Sequence, residues 1–384
     1  MTKFLLKYKI CSLFLIFECS NLFFMQAMPQ EVSVIHTPRS AGLGGAVSST
    51  PIGVETLLYN PAGIVLKMPG KNYSGNIMVL ADGYFQPKYL FPILSDVADV
   101  KNTSGQLLLN AKNLITSSGT GASFVVTSSY TGDNFGLGLF SSMSIFLNGE
   151  PFPLGTEGFV KVSFTLPLAY GLKLFENKKI QIAAGVSLNP SVLIYRILNG
   201  SDVDALVGGS VGIGELISDS IRHPYVGMPC SLGIIASIYD IPYKNAQLRF
   251  SSVAKNLFAD YFVPGLNMNP IENDLAFQVG SALILPFEIL NIDFYGVLSA
   301  EVHSLNILMS GGISFWEQLR LGAEFVAGQL LRFQLGLCGG YPCIGGEITL
   351  LHFSLGCSWQ TVETGTYLGD NPLSIFKISA AVKL

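Results

Sequence analysis

From Lys161 to Leu174 every even position is apolar or aromatic (Val162, Phe164, Leu166, Leu168, Tyr170, Leu172, Leu174), while the odd positions carry Lys, Ser, Thr, Pro, Ala, Gly and Lys. A helix needs apolar residues near every 3.6 positions, whereas a pleated strand sends neighbours to opposite faces with a period of two. The same alternation runs through Phe135 to Leu147, Ile180 to Ile194, Cys230 to Ile238 and Leu331 to Leu337. It returns in Phe376, Ile378, Ala380, Val382 and Leu384, so the sequence ends inside a strand. Such segments predict strands at 73–81, 121–130, 134–147, 158–175, 179–195, 227–240, 245–256, 274–285, 289–301, 306–316, 317–326, 329–338, 347–359 and 374–384. These make an even set of about 14, with lengths near or above the ten or so residues of a tilted membrane-crossing strand.

The links between the strands give the wall a direction. With the first strand running outward, the outer links are 82–120, 148–157, 196–226, 257–273, 302–305, 327–328 and 360–373, and most of them are long. The inner links include Gly132-Asp133, Glu176 to Lys178 and Ile241 to Lys244. Short periplasmic turns and long external loops are the habit of outer-membrane barrels. Two short outer links and an inner link at 339–346 break that habit. Near Leu350 and Leu351 the apolar parity flips, which predicts a β-bulge.

Composition narrows the class. The chain is 49% hydrophobic and only 12% charged, more apolar than a soluble domain of this length, so a lipid-facing surface accounts for it better than a soluble sandwich. Past the first 27 residues no stretch of 18 or more is free of polar interruption, and the most apolar, Leu275 to Ala300, holds Gln278, Pro286, Glu288, Asn291 and Asp293. Spanning helices are disfavoured, and a closed barrel is the other structure that satisfies its backbone in hydrocarbon. The fold class is therefore all-β, a transmembrane antiparallel barrel. Lys3, Lys7 and Lys9 precede the apolar run Ile10 to Phe24 and the small Ala27, the order of a signal peptide over 1–27. Without that segment 19 basic and 25 acidic residues remain, a charge near −6 that makes nucleic acid an unsuitable partner.

Between the leader and the first strand, within 28–70, lie Arg39-Ser40-Ala41-Gly42-Leu43-Gly44-Gly45-Ala46 and, further on, Asn60-Pro61-Ala62-Gly63. Glycines permit close backbone approach and positive φ, Asn-Pro opens a turn, and Val54 to Tyr59 has room for one helical turn. Two arrangements fit this segment: a plug inside the barrel of residues 71–384, or a turn-rich tail outside it. Arg39, Gly42, Gly44 and Gly45 followed by Asn60, Pro61, Ala62 and Gly63 resemble the N-terminal hatch of the FadL superfamily, the long-chain fatty-acid outer-membrane transporters. The stretches Thr361 to Gly365 and Gly369 to Pro372 are similar to those of treponemal and other spirochaetal members of that group. The resemblance implies a barrel of 14 strands plugged by its N-terminus in the outer membrane. It also implies a hydrophobic small molecule such as a long-chain fatty acid as cargo, collected by an external loop and released through a gap in the wall. Segments 85–118 and 196–226 carry the apolar residues for such a collector, which equally fit an external cap. The partners implied are outer-membrane lipid and the barrel assembly machinery. The competing role is a barrel anchoring or shuttling surface or secreted proteins.

Polar positions on the opposite strand face predict a lumen lined by Gln181, Gln247, Arg249, Gln278, Asn291, Asp293, Arg320, Glu324, Arg332 and Gln334, sparse for an open porin. Arg320, Glu324 and Arg332 are placed to form a cross-strand ion network. Cys338 and Cys343 bracket Gly-Gly-Tyr-Pro on the expected periplasmic side, where a disulfide is possible. The four histidines are not grouped for a metal, and no cofactor is expected. Gly208-Gly209-Ser210-Val211-Gly212 matches a nucleophile elbow, but an elbow belongs between a strand and a helix of an α/β sheet. A non-enzymatic protein is expected.

Overall fold

The computed structural model describes residues 37–66, 74–85, 119–149, 156–207, 210–216, 218–258, 260–265, 271, 275–289, 292–309, 314–328, 330–363 and 372–384. The expected signal peptide and most of segment 85–118 lie outside them. Seventeen strands follow one another: β1 (Gly75–Phe85), β2 (Thr120–Thr131), β3 (Phe135–Asn148), β4 (Glu157–Thr165), β5 (Leu168–Glu176), β6 (Ile180–Leu188), β7 (Ser191–Leu198), β8 (Tyr225–Gly227) and β9 (Cys230–Tyr239). The series continues with β10 (Gln247–Leu257), β11 (Ala276–Ile289), β12 (Ile292–Val302), β13 (Leu319–Ala327), β14 (Leu331–Cys338), β15 (Tyr341–Leu350), β16 (Phe353–Glu363) and β17 (Pro372–Lys383).

All pairings are antiparallel, and β17 pairs with β1, which closes the ring. β4 with β5, β6 with β7, and β8 with β9 are each one wall strand interrupted at a proline: Pro167, Pro190 and Pro229. Counted that way, the barrel has 14 strands.

The alternation sorts residues between two surfaces. Leu298 is 54% exposed and its neighbour Val297 1%, and Phe333 and Leu335 on β14 are about half exposed around the fully buried Gln334. A closed ring with Phe124, Leu139, Phe164, Tyr170, Leu298 and Leu335 on its outside has an apolar exterior. No described helix is long and apolar enough to cross a membrane.

Two segments differ from the sequence expectation, and their errors cancel in the strand count. Segment 306–316 is not a strand but contains the short helices Leu305–Met309 and Phe315–Gln318. The consecutive apolar residues Ile307, Leu308 and Met309 break the period of two. In compensation, Tyr341–Leu350, expected largely as a link, is the strand β15. Its Pro342 and Gly345-Gly346 read as turn residues, but the missing side chain at Gly345 serves the interior. A Cβ there would approach the Cα of Gly42 to 3.1 Å.

With these corrections the link pattern becomes regular. The inner links 132–134, 177–179, 240–246, 290–291, 328–330 and 351–352 are all short, and of the outer ones only 339–340 is. The bulge expected at Leu350 and Leu351 is instead the tight turn from β15 to β16, with Leu351 at φ 57°. Register shifts occur elsewhere, between Lys173 and Phe175 and between Ala254 and Leu257.

Candidate functional site: the occupied lumen

The segment 37–66 lies inside the ring. It is built from the helical turns Pro38–Gly42 and Val54–Leu58 and the 3-10 turn Pro61–Val65. Thr37 caps the first of these by accepting from the Ser40 amide, and Asn60 caps the last by accepting from the Ala62 amide. The Asn60 amide group also donates to the Ser48 carbonyl at 2.9 Å, and the Tyr59 hydroxyl donates to Ser40 Oγ at 2.9 Å, which ties the two ends of the segment together. Gly44 and Gly45 have φ of 63° and 91°, the backbone freedom this reversal requires.

Glycines of the wall receive the segment on two sides. Gly171, Gly185 and Gly233 stand in register across β5, β6 and β9, and the Asn60-Pro61-Ala62 turn lies against them. A side chain at Gly185 would enter the Pro61–Ala62 backbone, and one at Gly233 would meet Asn60 Oδ1. On another part of the wall Gly322 and Gly336 are in register, and a Cβ at Gly336 would stand 2.6 Å from the Gly44 nitrogen. Close backbone packing of this kind demands glycine on the wall. Between these tracks, Leu57 and Ile64 join Met78, Leu80, Val125 and Phe140 of the wall in one apolar cluster.

Buried ions complete the seat. The Arg39 guanidinium donates to both carboxylate oxygens of Glu324 at 2.8 and 2.9 Å and to Glu55 Oε2 at 2.5 Å, all three residues being buried. Glu55 in turn accepts from Thr37 Oγ1 at 2.7 Å. Burial disfavours the charge on Arg39, but Glu324 and Glu55 outweigh it and raise its pKa above the ordinary arginine value. On β12, Glu301 accepts from the Ser48 amide at 3.0 Å, and on β10 the Lys255 ammonium stands 4.7 Å over the Tyr59 ring. The Arg39, Gly42, Gly44, Gly45, Asn60, Pro61, Ala62 and Gly63 of the sequence pattern thus come together in one packed body.

The expected lumen residues are distributed unevenly. Gln181, Arg249, Gln278, Arg320, Glu324 and Gln334 are buried. Arg332 Nη1 lies 3.7 Å from Glu324. Arg320 does not join that pair: its Nη1 donates to the Glu317 carbonyl at 2.6 Å, towards the outer end of β13. Glu324's main partner is Arg39, a plug residue that strand periodicity could not supply. Asp293 is exposed at the inner end of β12, away from the network, and Asn291 lies outside the described residues. Cys338 and Cys343 are both thiols. They sit diagonally across β14 and β15, opposite Tyr341 and Gly336 respectively, at the outer rather than the periplasmic end. With that offset and the corrected strand parity, the possible disulfide is not formed.

A cavity of about 890 Å³ opens beneath the plug at the inner end. Apolar Ile52, Val54, Ile64, Met78 and Leu172 line it together with charged Arg332, Glu347 and Lys383. A further ion pair, Lys377 to Asp82 at 2.7 Å, is buried between β17 and β1, where the Ser123 hydroxyl also donates to Asp82 at 2.9 Å.

The described part of segment 196–226 forms the helices Gly200–Val207, Ile213–Leu216 and Ser218–Arg222. Val203 and Leu206 pack with Ile145, Leu147, Val160 and Leu198, which belong to the outward faces of β3, β4 and β7. This helix therefore lies on the outside of the rim. Ser210 follows it and donates to the Ala205 carbonyl at 3.1 Å, with no strand leading into it as an elbow requires. Among the described residues no group of three or more His, Cys, Asp and Glu is placed to hold a metal.

No protein-family model and no curated protein matches the sequence. Solved structures do match. A mutant of the TodX monoaromatic hydrocarbon channel is 14% identical, with 90% of this chain and 97% of that one covered, at a TM-score of 0.46. The toluene transporter TodX of Pseudomonas putida is 12% identical over 91% and 97%, at 0.41. CdiB of Acinetobacter baumannii is 10% identical at a TM-score of 0.39, over 80% of this chain, which spans only 60% of that protein. A spirochaetal affinity finds no support in these comparisons.

Proposed function

We propose that this protein is an outer-membrane transporter that admits hydrophobic small molecules, long-chain fatty acids foremost, through a plugged barrel and out through its wall. One observation carries the reading: the wall is broken at Pro167, Pro190 and Pro229, three neighbouring strands in a row, on the outer side of the seated Asn60-Pro61-Ala62 turn. Proline donates no ladder hydrogen bond and is ordinarily kept out of sheet interiors. Here each proline carbonyl accepts from the adjacent strand, from Gly138, Leu166 and Asn189 at 2.9 Å, but none of the three nitrogens can reciprocate. The breaks lie four or five residues from Gly171, Gly185 and Gly233, so roughly 15 Å outward of the plug contact at 3.3 Å per residue.

A solute entering from outside meets the plug, and the weakest part of the wall lies just before it. Water-soluble solutes gain nothing by leaving sideways into hydrocarbon, whereas apolar ones do. The packed plug and the scarcity of unpaired lumen charge weigh against an open aqueous pore. Restoring donors with the triple variant Pro167→Val, Pro190→Val, Pro229→Val should lower the uptake of labelled oleate into proteoliposomes several-fold while leaving a folded barrel. Unchanged uptake by the folded variant would remove the lateral route.

A further inference from the structure

Lys161 differs from the lumen cations that hold a carboxylate, and from Lys255, which stands over the Tyr59 ring. Arg39 pairs with Glu324 and Glu55, Lys377 with Asp82, Lys383 with Glu347, and Arg332 approaches Glu324. Lys161 is half-buried and, among the described residues, makes neither a hydrogen bond nor an ion pair. It lies opposite Ser144 of β3 and Tyr195 of β7, and Ser144 belongs to the buried parity of β3 with Phe140, Ser142 and Phe146, so Lys161 faces inward. Two residues further out on the same face begins a row of rings. Phe146 and Phe159 stack with centroids 5.9 Å apart, and Phe159 and Tyr195 are 6.1 Å apart. Glu157, the carboxylate on that face of β4, is exposed at the strand's outer end, four residues away.

Removing an ammonium from water without a counter-charge is costly, and nearby structure normally supplies the partner. Further inward on the same face the hydroxyls are engaged with each other, Ser142 with Ser163 at 2.6 Å and Thr165 with Ser191 at 2.9 Å, and the residues directly opposite Lys161, Ser144 and Tyr195, carry no charge to offset it. What is left is one cation beside an aromatic wall, with Pro167 six residues inward along the same strand, roughly 20 Å at 3.3 Å per residue. We propose that Lys161 receives the anionic head group of an amphiphilic solute, whose apolar body lies against Tyr195, Phe159 and Phe146 on the outer side of that head group. This rests on the transporter reading above and adds the selectivity: the outer lumen prefers a singly charged anion with an apolar tail over a neutral molecule of the same length.

The test is titration of the full barrel in a non-ionic detergent with three probes: oleate, oleyl alcohol and butyrate. Wild type should bind oleate more tightly than oleyl alcohol, and butyrate weakly or not at all. Lys161→Gln should weaken oleate about tenfold or more, the loss of one charge-assisted hydrogen bond, with oleyl alcohol unchanged, and Lys161→Arg should retain the preference. A folded K161Q barrel that binds oleate as wild type does, or loses both long probes equally, overturns the assignment while leaving the transporter reading in place. Wild type binding neither long probe overturns both. If K161Q does not fold, wild type and K161R decide alone, because equal affinity for oleate and oleyl alcohol contradicts a head-group site.

Discussion

Arg39 shows how much of the interior depends on single side chains. Its guanidinium holds two buried carboxylates, one on the plug and one on the wall. Arg39→Ala leaves both uncompensated, which should cost about 3–5 kcal/mol in denaturant titration of the micelle-embedded protein. Neutralising the wall partner as well, in Arg39→Ala with Glu324→Gln, should recover part of that loss. If the double variant is no more stable than the single one, the pair is not what holds the plug. Gly233→Val acts through shape alone, since its side chain would occupy the place of Asn60 Oδ1. Residues 37–66 should then become protease-sensitive in a barrel whose strands are intact, whereas in wild type they are protected.

At the scale of elements, period and parity were legible wherever one face meets lipid and the other a mixed interior. The strands from Thr120 to Leu257 lie close to their expected limits for that reason. Legibility failed where the plug imposes its own demands. β15 carries glycines because Gly42 packs against it, and in a sequence such glycines are indistinguishable from those of a turn. The inward glycines 171, 185 and 233 share one parity in their strands, a signal visible in hindsight, but their alignment requires the register. Strand parity points Glu324 at an ion network, but nothing in local spacing links it to Arg39, 285 positions away. The proline row was equally hidden: each proline alone looks like a strand end, and only the pairing of β4 through β9 sets the three side by side.

For the molecule as a whole, two surfaces of opposite character share each strand. Leu335, exposed at the middle of β14, should tolerate charge poorly: Leu335→Arg is expected to cost about 2–4 kcal/mol in folding into lipid vesicles if it lies at the bilayer midplane. A negligible cost would argue that this face does not meet hydrocarbon. On the proposed reading the barrel is closed to water by its plug and open sideways to apolar solutes. Both fluxes can be followed in one preparation of proteoliposomes, as labelled oleate uptake and as osmotic swelling in a small sugar. Oleate uptake above a heat-denatured control, without swelling, is the predicted result; swelling without oleate uptake would contradict it.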